Sequence, residues 1–400
     1  MTPPLPLAEA QRRLLALAHP LGTEALTTEA CLGRYLGTDL SARRTQPAAD
    51  LSAMDGYAMR EALGGPWRIV GESAAGRPFA GELAPGEAVR ISTGALLPAG
   101  AGAVLLQEEA IRDGDELSMA PGGEASPRHI RRRGFDFAEG DIVLGAGRRI
   151  GPAQLALALS AGHGASRLEV GRLPRVALID SGDELVTGSR DWQDHQLPAS
   201  NGAMIAAMVA SLAASVERLG PVPDRMEALA QALARAESAD VVVTTGGASV
   251  GDHDLVRPAL EAWGATIDFW RVAMKPGKPL LVARRGEAFV LGLPGNPVSS
   301  YVTGFLFLLP LLRRLAGATE ALPHPLPART AVALPAGGNR LEFVRARLAG
   351  GVVTPLDQQD SSGVRALAAA DVLIERPIDA PAVAAGGEVA VYRLENGGMA

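Results

Sequence analysis

The sequence has one cysteine, Cys31, among its 400 residues. A single cysteine excludes an intrachain disulfide and is typical of a reducing compartment, so we expect a cytoplasmic protein. We interpret Cys31 as a small buried residue in a helix rather than as a catalytic thiol. Histidine is also scarce, with six residues, and no histidine or cysteine cluster has the spacing of a zinc site. A structural zinc ion is therefore not expected.

The sequence also lacks an excess of positive charge and a long uncharged apolar run. Its formal net charge is -6, which argues against a general nucleic-acid binder or membrane-surface binder. The N-terminus shows no basic region followed by an apolar core, so no signal peptide is expected. The apolar run 298–312 is shorter than a membrane span and is followed by Arg313 and Arg314. An anionic substrate would have to be held by local donors.

What the sequence does contain is a set of apolar runs that are each followed by a polar, glycine-rich turn. Three such turns lie between residues 239 and 303, at 244–254, 274–279 and 292–300. The run before the first turn, 241–243, consists of valines and is typical of a strand buried on both faces. Turns beyond the carboxyl ends of parallel strands gather at one edge of a sheet. We therefore expect the three turns to converge on one site.

The residues of these turns are suited to binding phosphate. Gly246 and Gly247 allow a tight bend and a close approach to a ligand, since neither has a Cβ atom. Asn296 and Pro297 are typical of a helix N-cap and first helical residue, and we expect the amides of residues 298–300 to form an anion site. Lys275 and Lys278 add positive charge. A single turn of this kind is more often an ordinary loop without a ligand. The three turns together favour an anion site.

The rest of the chain predicts several domains, because 400 residues exceed what one hydrophobic core normally serves. Alternating strand and helix patterns in the middle indicate a parallel sheet covered by helices on both faces. Predicted helices cover residues 7–18, 24–36, 152–162, 203–219 and 225–237. Short apolar runs predict a β-rich region over 67–143 and a small β-barrel or sandwich over 331–394. The prolines between 310 and 327 predict a domain linker.

Many acidic residues accompany the predicted anion site, namely Asp55, Asp136, Asp183, Glu184, Asp224, Asp252 and Asp254. Acids and an anion share a site when a cation lies between them, and Mg²⁺ is the usual solution. Simpler interpretations stay open. Asp55 and Thr93 could lie in ordinary turns, Asp183 and Glu184 could begin a solvated helix, and His253 is more often a surface residue than a ligand. The run 131–133 of arginines is usually solvated, although an anion-facing role is open.

Five groups of residues resemble a known family. They are Leu51-Ser52-Ala53-Met54-Asp55-Gly56-Tyr57-Ala58, Ile91-Ser92-Thr93-Gly94-Ala95, Thr245-Gly246-Gly247 with Ser249-Val250-Gly251-Asp252, Lys275-Pro276-Gly277-Lys278-Pro279, and Leu293-Pro294-Gly295-Asn296-Pro297-Val298-Ser299. With Gly134, Asp136 and the run 182–185, they are similar to the MoeA and gephyrin E-domain family of molybdopterin molybdenumtransferases. Separate motifs in the same order over about 300 residues are far more specific than one short pattern.

The resemblance implies an α/β multidomain fold. Its central domain, 173–322, would be a parallel-sheet α/β domain of the molybdopterin-binding type. Residues 1–50 and 145–172 would form a helical linker domain, 51–144 a β-rich domain, and 323–400 a small C-terminal β-barrel. The implied reaction inserts molybdenum from molybdate into adenylylated molybdopterin with release of AMP. A homodimer is implied, and so are contacts with the adenylyltransferase and with downstream cofactor-handling proteins.

The resemblance also implies roles for particular residues. The substrate would be bound by Gly246, Gly247, Ser249, Arg271, Pro294, Gly295, Asn296, Ser299, Arg340, Arg345 and Ser361. Catalytic roles would fall to Asp55, Thr93, Asp136, Glu184, Asp224, Asp254, Lys275 and Lys278. Asp55, Thr93 and Asp136 would reach the site from the other subunit, and Mg²⁺ would be held by Glu184, Asp224 and Asp254.

The sequence departs from the family pattern at four positions. Arg271 stands where lysine is usual, which exchanges a point charge for a planar fork. Asp180 replaces a hydroxyl residue, Ala199 replaces an acid that often precedes the asparagine (Asn201 here), and Ala248 replaces a larger apolar residue. These departures bear on substrate details, such as molybdate against tungstate, more than on the reaction class.

Two other functions remain open. A molybdopterin adenylyltransferase uses the same kind of α/β domain, although the turn 249–252 and the additional N- and C-terminal domains argue against it. A non-catalytic scaffold of the gephyrin type is the second alternative. The acids and lysines named above argue against a degenerate site.

Overall fold

The structure is a computed structural model that describes residues 4–188, 193–246 and 255–398. Gly247, Ser249 and Asp254, like Asp252 and His253, lie outside the described residues. The predictions made for these five residues therefore remain predictions.

The N-terminal part combines two helices with short strands. In chain order these are α1 (Leu7–Leu17), β1 (Thr23–Thr27), β2 (Leu40–Ser41), β3 (Leu51–Ser52), β4 (Gly56–Met59), β5 (Trp67–Ser73), β6 (Glu87–Ile91), β7 (Ala103–Leu106), β8 (Ala110–Asp113), β9 (Glu116–Met119), β10 (Ile130–Arg131), β11 (Ile142–Leu144), α2 (Pro152–Ala158) and β12 (Arg167–Gly171). Strands β4 to β9 form one sheet in the order β7-β4-β6-β5-β9-β8, which confirms the β-rich region. Strand β11 pairs with β2 instead of joining this sheet.

The helix predicted over residues 24–36 is wrong. Residues Thr23–Thr27 form β1, which pairs antiparallel with β12, and Thr28–Cys31 form one 3₁₀ turn. The β-branched threonines at the two ends of β1 lose side-chain freedom in a helix, and an antiparallel partner is available, so the strand forms. Cys31 is fully buried at the end of the turn, as we interpreted it.

The central part is an α/β unit around one six-stranded sheet. Its elements are β13 (Arg175–Ser181), β14 (Leu185–Val186), β15 (Leu197–Pro198), α3 (Asn201–Val209), β16 (Ser215–Val222), α4 (Met226–Arg235), β17 (Val241–Thr245), α5 (Val256–Ala262), β18 (Thr266–Arg271), β19 (Met274–Lys275), β20 (Pro279–Arg285), β21 (Ala288–Leu293), α6 (Pro297–Thr303) and α7 (Leu309–Leu315). The strand order is β16-β13-β17-β21-β20-β18. The first four strands are parallel. Strand β20 is antiparallel to both neighbours, so β17, β18 and β21 end at the same edge.

Two predicted boundaries in this part are wrong. The helix predicted over 203–219 ends at Val209, and residues Ser215–Val222 form the edge strand β16. Val216 and Leu219 are three residues apart, as on one face of a helix, but residues 215–219 pair in parallel with residues 175–179 of β13 and so form a strand. The linker predicted from Pro310 begins only after Leu315, because Pro310 lies in the first turn of α7. A wider π-helical turn, Gly304–Leu308, joins α6 to α7 ahead of this proline.

Among the described residues one helix, Pro297–Leu315, is long and apolar enough to cross a membrane by length and composition. It is longer than the apolar run of the sequence, because it also contains Arg313 and Arg314. Its 18-residue window has a mean hydropathy of 1.2, and 89% of that window is buried inside the protein. This burial is typical of a core helix, and Phe305, Phe307 and Leu311 pack in the largest hydrophobic cluster.

The C-terminal part is a closed five-stranded barrel, as predicted. It consists of β22 (Leu326–Thr330), β23 (Leu341–Ala349), β24 (Val352–Pro355), α8 (Val364–Ala368), β25 (Val372–Arg376) and β26 (Glu388–Arg393). The strands follow the order β23-β24-β22-β26-β25, and β25 pairs with β23 to close the barrel. Strand β19 also pairs with β23, so the barrel is joined to a turn of the central sheet. The exact domain bounds remain predictions.

Candidate active site

The three glycine-rich turns meet at one edge of the central sheet. The Gly246 amide donates a hydrogen bond to the Leu293 carbonyl at 3.3 Å, and a Cβ atom on Gly295 would lie 3.5 Å from Gly246 Cα. At Gly277 in the second turn, a Cβ atom would lie 3.7 Å from the Ser299 carbonyl oxygen. The predicted convergence is therefore confirmed for the described residues of the turns.

Gly246 has to be glycine for two reasons. Its φ angle of +94° lies in the left-handed region, and an added Cβ atom would lie 2.5 Å from the Ser181 carbonyl oxygen. The first turn can therefore follow β17 directly and pass close to the end of β13.

The predicted anion site at the start of α6 is already partly occupied by the protein itself. Asn296 is the N-cap and Pro297 follows it, as predicted, but the Asn296 side chain accepts no hydrogen bond from the helix. Its Nδ2 donates to Ser361 Oγ at 2.9 Å. The Val298 amide donates to the Ser361 carbonyl at 3.1 Å, and the Ser300 amide to the Asn296 carbonyl. The expectation of three free amides is thus wrong for Val298, whose amide is bound by a barrel loop, and for Ser300, whose amide bonds within the helix.

The second turn carries the two lysines, which are the only lysines of the whole sequence. Lys and Arg total 38, so 36 of the basic residues are arginine. Both lysine side chains are exposed. Lys275 Nζ forms an ion pair with Glu342 Oε1 of β23 at 3.1 Å. A lysine presents a compact point charge and an arginine a planar fork, so this turn differs in its basic groups from the rest of the chain.

Two of the predicted metal ligands lie in one acidic cluster. The Asp224 amide donates to Asp183 Oδ1 at 3.1 Å. Burial, followed by repulsion from Asp183 and Glu184, raises the pKa of Asp224 above its ordinary value. Glu184 follows a tight turn at Gly182 and leads into β14, so the solvated-helix interpretation of this pair is wrong. Within the described ranges no three acidic, histidine or cysteine side chains are arranged to hold a metal ion.

Asp55 and Thr93 are brought together in the β-rich region. The Thr93 amide donates to Asp55 Oδ1 at 2.6 Å. Gly56 fixes the place of Asp55, since a Cβ atom at Gly56 would lie 2.0 Å from the Leu105 carbonyl oxygen. Asp136 is exposed, and its amide donates to the Gln46 carbonyl. Over the described part of the chain, no hydrogen bond or ion pair joins Asp55, Thr93 or Asp136 to the three turns.

Two of the arginines that the sequence singled out bind other parts of the protein. Arg132 Nη1 pairs with Asp50 Oδ2 at 2.6 Å, which leaves it less suited to an anion. Arg345 is 1% exposed, and its Nη2 donates to the carbonyls of Gln358 and Asp360. Burial lowers the pKa of Arg345, against the attraction of Asp360. These two hydrogen bonds link Arg345 to the loop that carries Ser361. Arg340 and Arg271 are half-buried.

The family comparisons cover most of the chain. Residues 5–162 match the MoeA N-terminal region (domain I and II), residues 177–314 a probable molybdopterin binding domain, and residues 327–394 the MoeA C-terminal region (domain IV). A molybdopterin molybdenumtransferase of Haemophilus influenzae is 34% identical over 349 residues, 85% of each chain. Molybdopterin molybdenumtransferase 2 of Mycobacterium tuberculosis is 36% identical over 386 residues, 90% of this chain and 93% of the relative. The chain belongs to the molybdopterin molybdenumtransferase family.

Solved structures agree with this assignment. A molybdopterin biosynthesis MoeA protein from Pyrococcus horikoshii OT3 has 25% identity and a TM-score of 0.80, covering 97% of this chain and 99% of its own. A second structure from the same species has 28% identity and a TM-score of 0.74, covering 97% and 98%. As in other members of the molybdopterin molybdenumtransferase family, the central domain is therefore flanked by further domains on both sides.

The sequence did not predict that two acids, Glu342 and Asp180, contact residues of the candidate site. Glu342 pairs with Lys275, but the sequence carries no signal for this contact because it depends on how the barrel docks. Asp180 was noticed only as a departure from the family pattern. It is 4% exposed and accepts a hydrogen bond from Thr245 Oγ1. An acid within an otherwise apolar strand is the signal that could have marked it.

Proposed function

We propose that this protein inserts molybdenum from molybdate into adenylylated molybdopterin, releases AMP and so forms the molybdenum cofactor. The observation that carries the proposal is that the three glycine-rich turns lie close together at one edge of the central sheet. One of these turns contains both lysines of the sequence. Family membership adds support, since relatives of 34% and 36% identity are named molybdopterin molybdenumtransferase. The enzyme would be a transferase that acts on a pterin.

The turns would hold the phosphoanhydride of the substrate. Gly246, Gly247 and Ser249, with Pro294, Gly295, Asn296 and Ser299, would surround the nucleotide and its phosphates. Lys275 and Lys278 would balance the charge that develops on the phosphate oxygens as AMP departs. Arg271, Arg340 and Ser361 would contact the substrate from the rim. Arg345 would act by holding the loop of Ser361. Holding molybdate next to the dithiolene is mainly a matter of orientation.

The Mg²⁺ ion of the proposed reaction would lie at the acidic cluster. Asp224 has a raised pKa because burial and the neighbouring Asp183 and Glu184 disfavour its charge, and a divalent cation would offset that repulsion. Glu184 and Asp224 would hold the ion together with Asp254, and the ion would neutralise phosphate charge. The chain's own contribution is to place Glu184 after the end of β13 and Asp224 after the end of β16.

A homodimer would complete the site. Asp55, Thr93 and Asp136 are held in the β-rich region, away from the hydrogen-bond network of the turns, so we assign them to the site of the other subunit. Such a sharing of residues is compatible with a two-fold interface. The enzyme would work in the cytoplasm. It would act after the adenylyltransferase and before the downstream cofactor-handling proteins.

The test supplies adenylylated molybdopterin, molybdate and Mg²⁺, and measures AMP release and cofactor formation together. Molybdate-dependent formation of both products supports the proposal. Consumption of ATP and free molybdopterin instead would identify an adenylyltransferase. If neither reaction occurs while a partner protein still binds to Lys275→Ala as it does to the wild type, the scaffold function would be correct.

A further inference from the structure

Asp180 lies buried near the end of β13, opposite Thr245 at the end of β17. Its Oδ1 accepts a hydrogen bond from Thr245 Oγ1 at 2.5 Å, and Thr245 is the last residue of β17. The backbone of Gly202 also lies against this carboxylate. A Cβ atom on Gly202 would lie 2.0 Å from Asp180 Oδ2, so only glycine allows this approach.

Each of these two contacts leads to a turn. Thr245 directly precedes Gly246, whose amide is bound to the Leu293 carbonyl. Gly202 directly follows Asn201, whose Nδ2 donates to the Gly295 carbonyl at 2.6 Å. The carboxylate of Asp180 therefore contacts the first turn directly, and it is connected to the third turn through the start of α3. It also lies against the first turn of α3, where helix amides lack partners within the helix and a negative charge is favoured.

Stability alone does not account for a carboxylate here. Burial raises the pKa of Asp180, against the hydrogen bond from Thr245, the charge of Arg218 and the Gly202 amide. The guanidinium of Arg218 is 3.9 Å away and half in solvent. A buried charge of this kind is costly, and apolar residues in its place are often neutral or stabilising. The donors that Asp180 collects instead point to a role in geometry.

We propose that Asp180 is a positioning residue, whose buried carboxylate sets the spacing between the turns at Gly246 and Gly295 for the phosphate-bearing part of the substrate. The proposal rests on the proposed function, since that function assigns both turns to the substrate. Asp180 does not touch the substrate itself. Its loss should therefore weaken binding at the two turns without removing a reacting group.

The experiment compares Asp180→Ala, Asp180→Asn and Thr245→Val with the wild-type protein. AMP affinity is measured by calorimetry, and KM and kcat with adenylylated molybdopterin. We expect Asp180→Ala to raise the Kd for AMP and the KM about tenfold, as for the loss of charge-assisted hydrogen bonds, with a much smaller change in kcat. Asp180→Asn should restore part of the affinity, because an amide keeps one acceptor oxygen. Thr245→Val removes one hydroxyl and should give an intermediate effect.

Asp240→Asn is the matched control. Asp240 also lies beside β13 and β17, but at the opposite edge of the sheet, where it pairs with Arg175 Nη2 at 3.1 Å. This variant should leave the Kd for AMP unchanged even if it lowers the melting temperature. Should Asp180→Ala fail to fold, Thr245→Val provides the same comparison with a smaller change.

Hydrogen exchange separates failure of this proposal from failure of the proposed function. The amide of Gly246 should exchange faster in Asp180→Ala and Thr245→Val than in Asp240→Asn, whatever reaction the protein catalyses. If the wild type releases no AMP but this exchange difference is found, the function is wrong and the positioning role stands. Wild-type AMP affinity together with wild-type exchange in Thr245→Val and Asp180→Asn would overturn the positioning role.

Discussion

Lys275 and Glu342 form an ion pair between the central α/β unit and the C-terminal barrel, with 3.1 Å between Nζ and Oε1. The two residues also lie opposite each other in the short parallel pairing of β19 with β23. Their side chains are 54% and 28% exposed, and exposed pairs of this kind contribute little to stability. What the pair does change is the charge available to a ligand, because the ammonium already has an anionic partner.

Glu342→Gln should therefore strengthen anion binding. The variant removes the carboxylate that competes with phosphate for Lys275, so we expect the Kd for AMP to fall a few-fold at low salt and less at high salt. The melting temperature should change little. Glu217→Gln is a suitable control, since Glu217 forms an exposed pair with Arg235 at 2.9 Å on a distant part of the same domain. A weaker affinity in Glu342→Gln would show that Glu342 instead holds Lys275 in its binding position.

Lys275→Arg should not preserve activity, although it keeps the charge. The chain uses arginine everywhere else, with 36 arginines against two lysines (38 minus 2), and a planar fork cannot replace a compact ammonium in a tight turn. We expect kcat/KM to fall about tenfold or more, roughly the 1.4 kcal/mol of one charge-assisted contact. Steady-state AMP release checks this value. Arg284→Lys on β20 is the reverse exchange away from the turn, and it should leave kcat/KM unchanged.

Asp224 should make stability depend on pH and on Mg²⁺. Its pKa is higher in the folded protein than in the unfolded chain, so the folded state binds the proton more tightly. Its contribution to the free energy of unfolding is therefore greatest at acidic pH and is lost as pH rises from the ordinary carboxylate range through the raised pKa. We expect Mg²⁺ to raise the melting temperature at pH 8 and much less at pH 4.5.

The matching variant is Asp224→Asn. Without Mg²⁺ it should melt at a higher temperature than the wild type at pH 8, because the repulsion from Asp183 and Glu184 is removed. It should also lose the Mg²⁺-dependent rise. If Mg²⁺ stabilises the variant and the wild type equally, the ion binds elsewhere.

Gly246→Ala tests the close approach of the first turn to β13. The added Cβ atom would lie 2.5 Å from the Ser181 carbonyl oxygen at a φ angle of +94°, so the turn has to move. Gly264→Ala is matched in backbone strain, with φ +87°, but its Cβ atom would meet nothing within 4 Å. We expect both variants to lose about 1 kcal/mol or more of stability, and only Gly246→Ala to lose AMP binding. Equal AMP affinity in the two variants would contradict a phosphate-binding turn.

Local patterns were sufficient to predict the three turns and the barrel, because strand periodicity and glycine chemistry depend on neighbours in sequence. They failed for residues 215–219, where the spacing of Val216 and Leu219 is that of a helix but pairing with the edge of β13 favours a strand. They also did not predict the contact of Val298 with Ser361 or that of Lys275 with Glu342, since these partners lie about 65 residues apart in sequence. Such contacts depend on how two domains dock, which no local pattern describes.

Mixing two inactive variants tests whether two subunits share one site. Asp55→Ala and Lys275→Ala each remove a predicted catalytic group, and Asp55, which is bound by the Thr93 amide, directly precedes β4, whose sheet is separate from that of Lys275. In a dimer with shared sites, a mixed pair has one doubly defective site and one intact site. Random exchange should therefore restore about a quarter of wild-type activity. If each site came from one chain, no mixed pair would contain an intact site and no activity would return. Mixing Lys275→Ala with Lys278→Ala, which lie in the same turn, is the control that should stay inactive in either case.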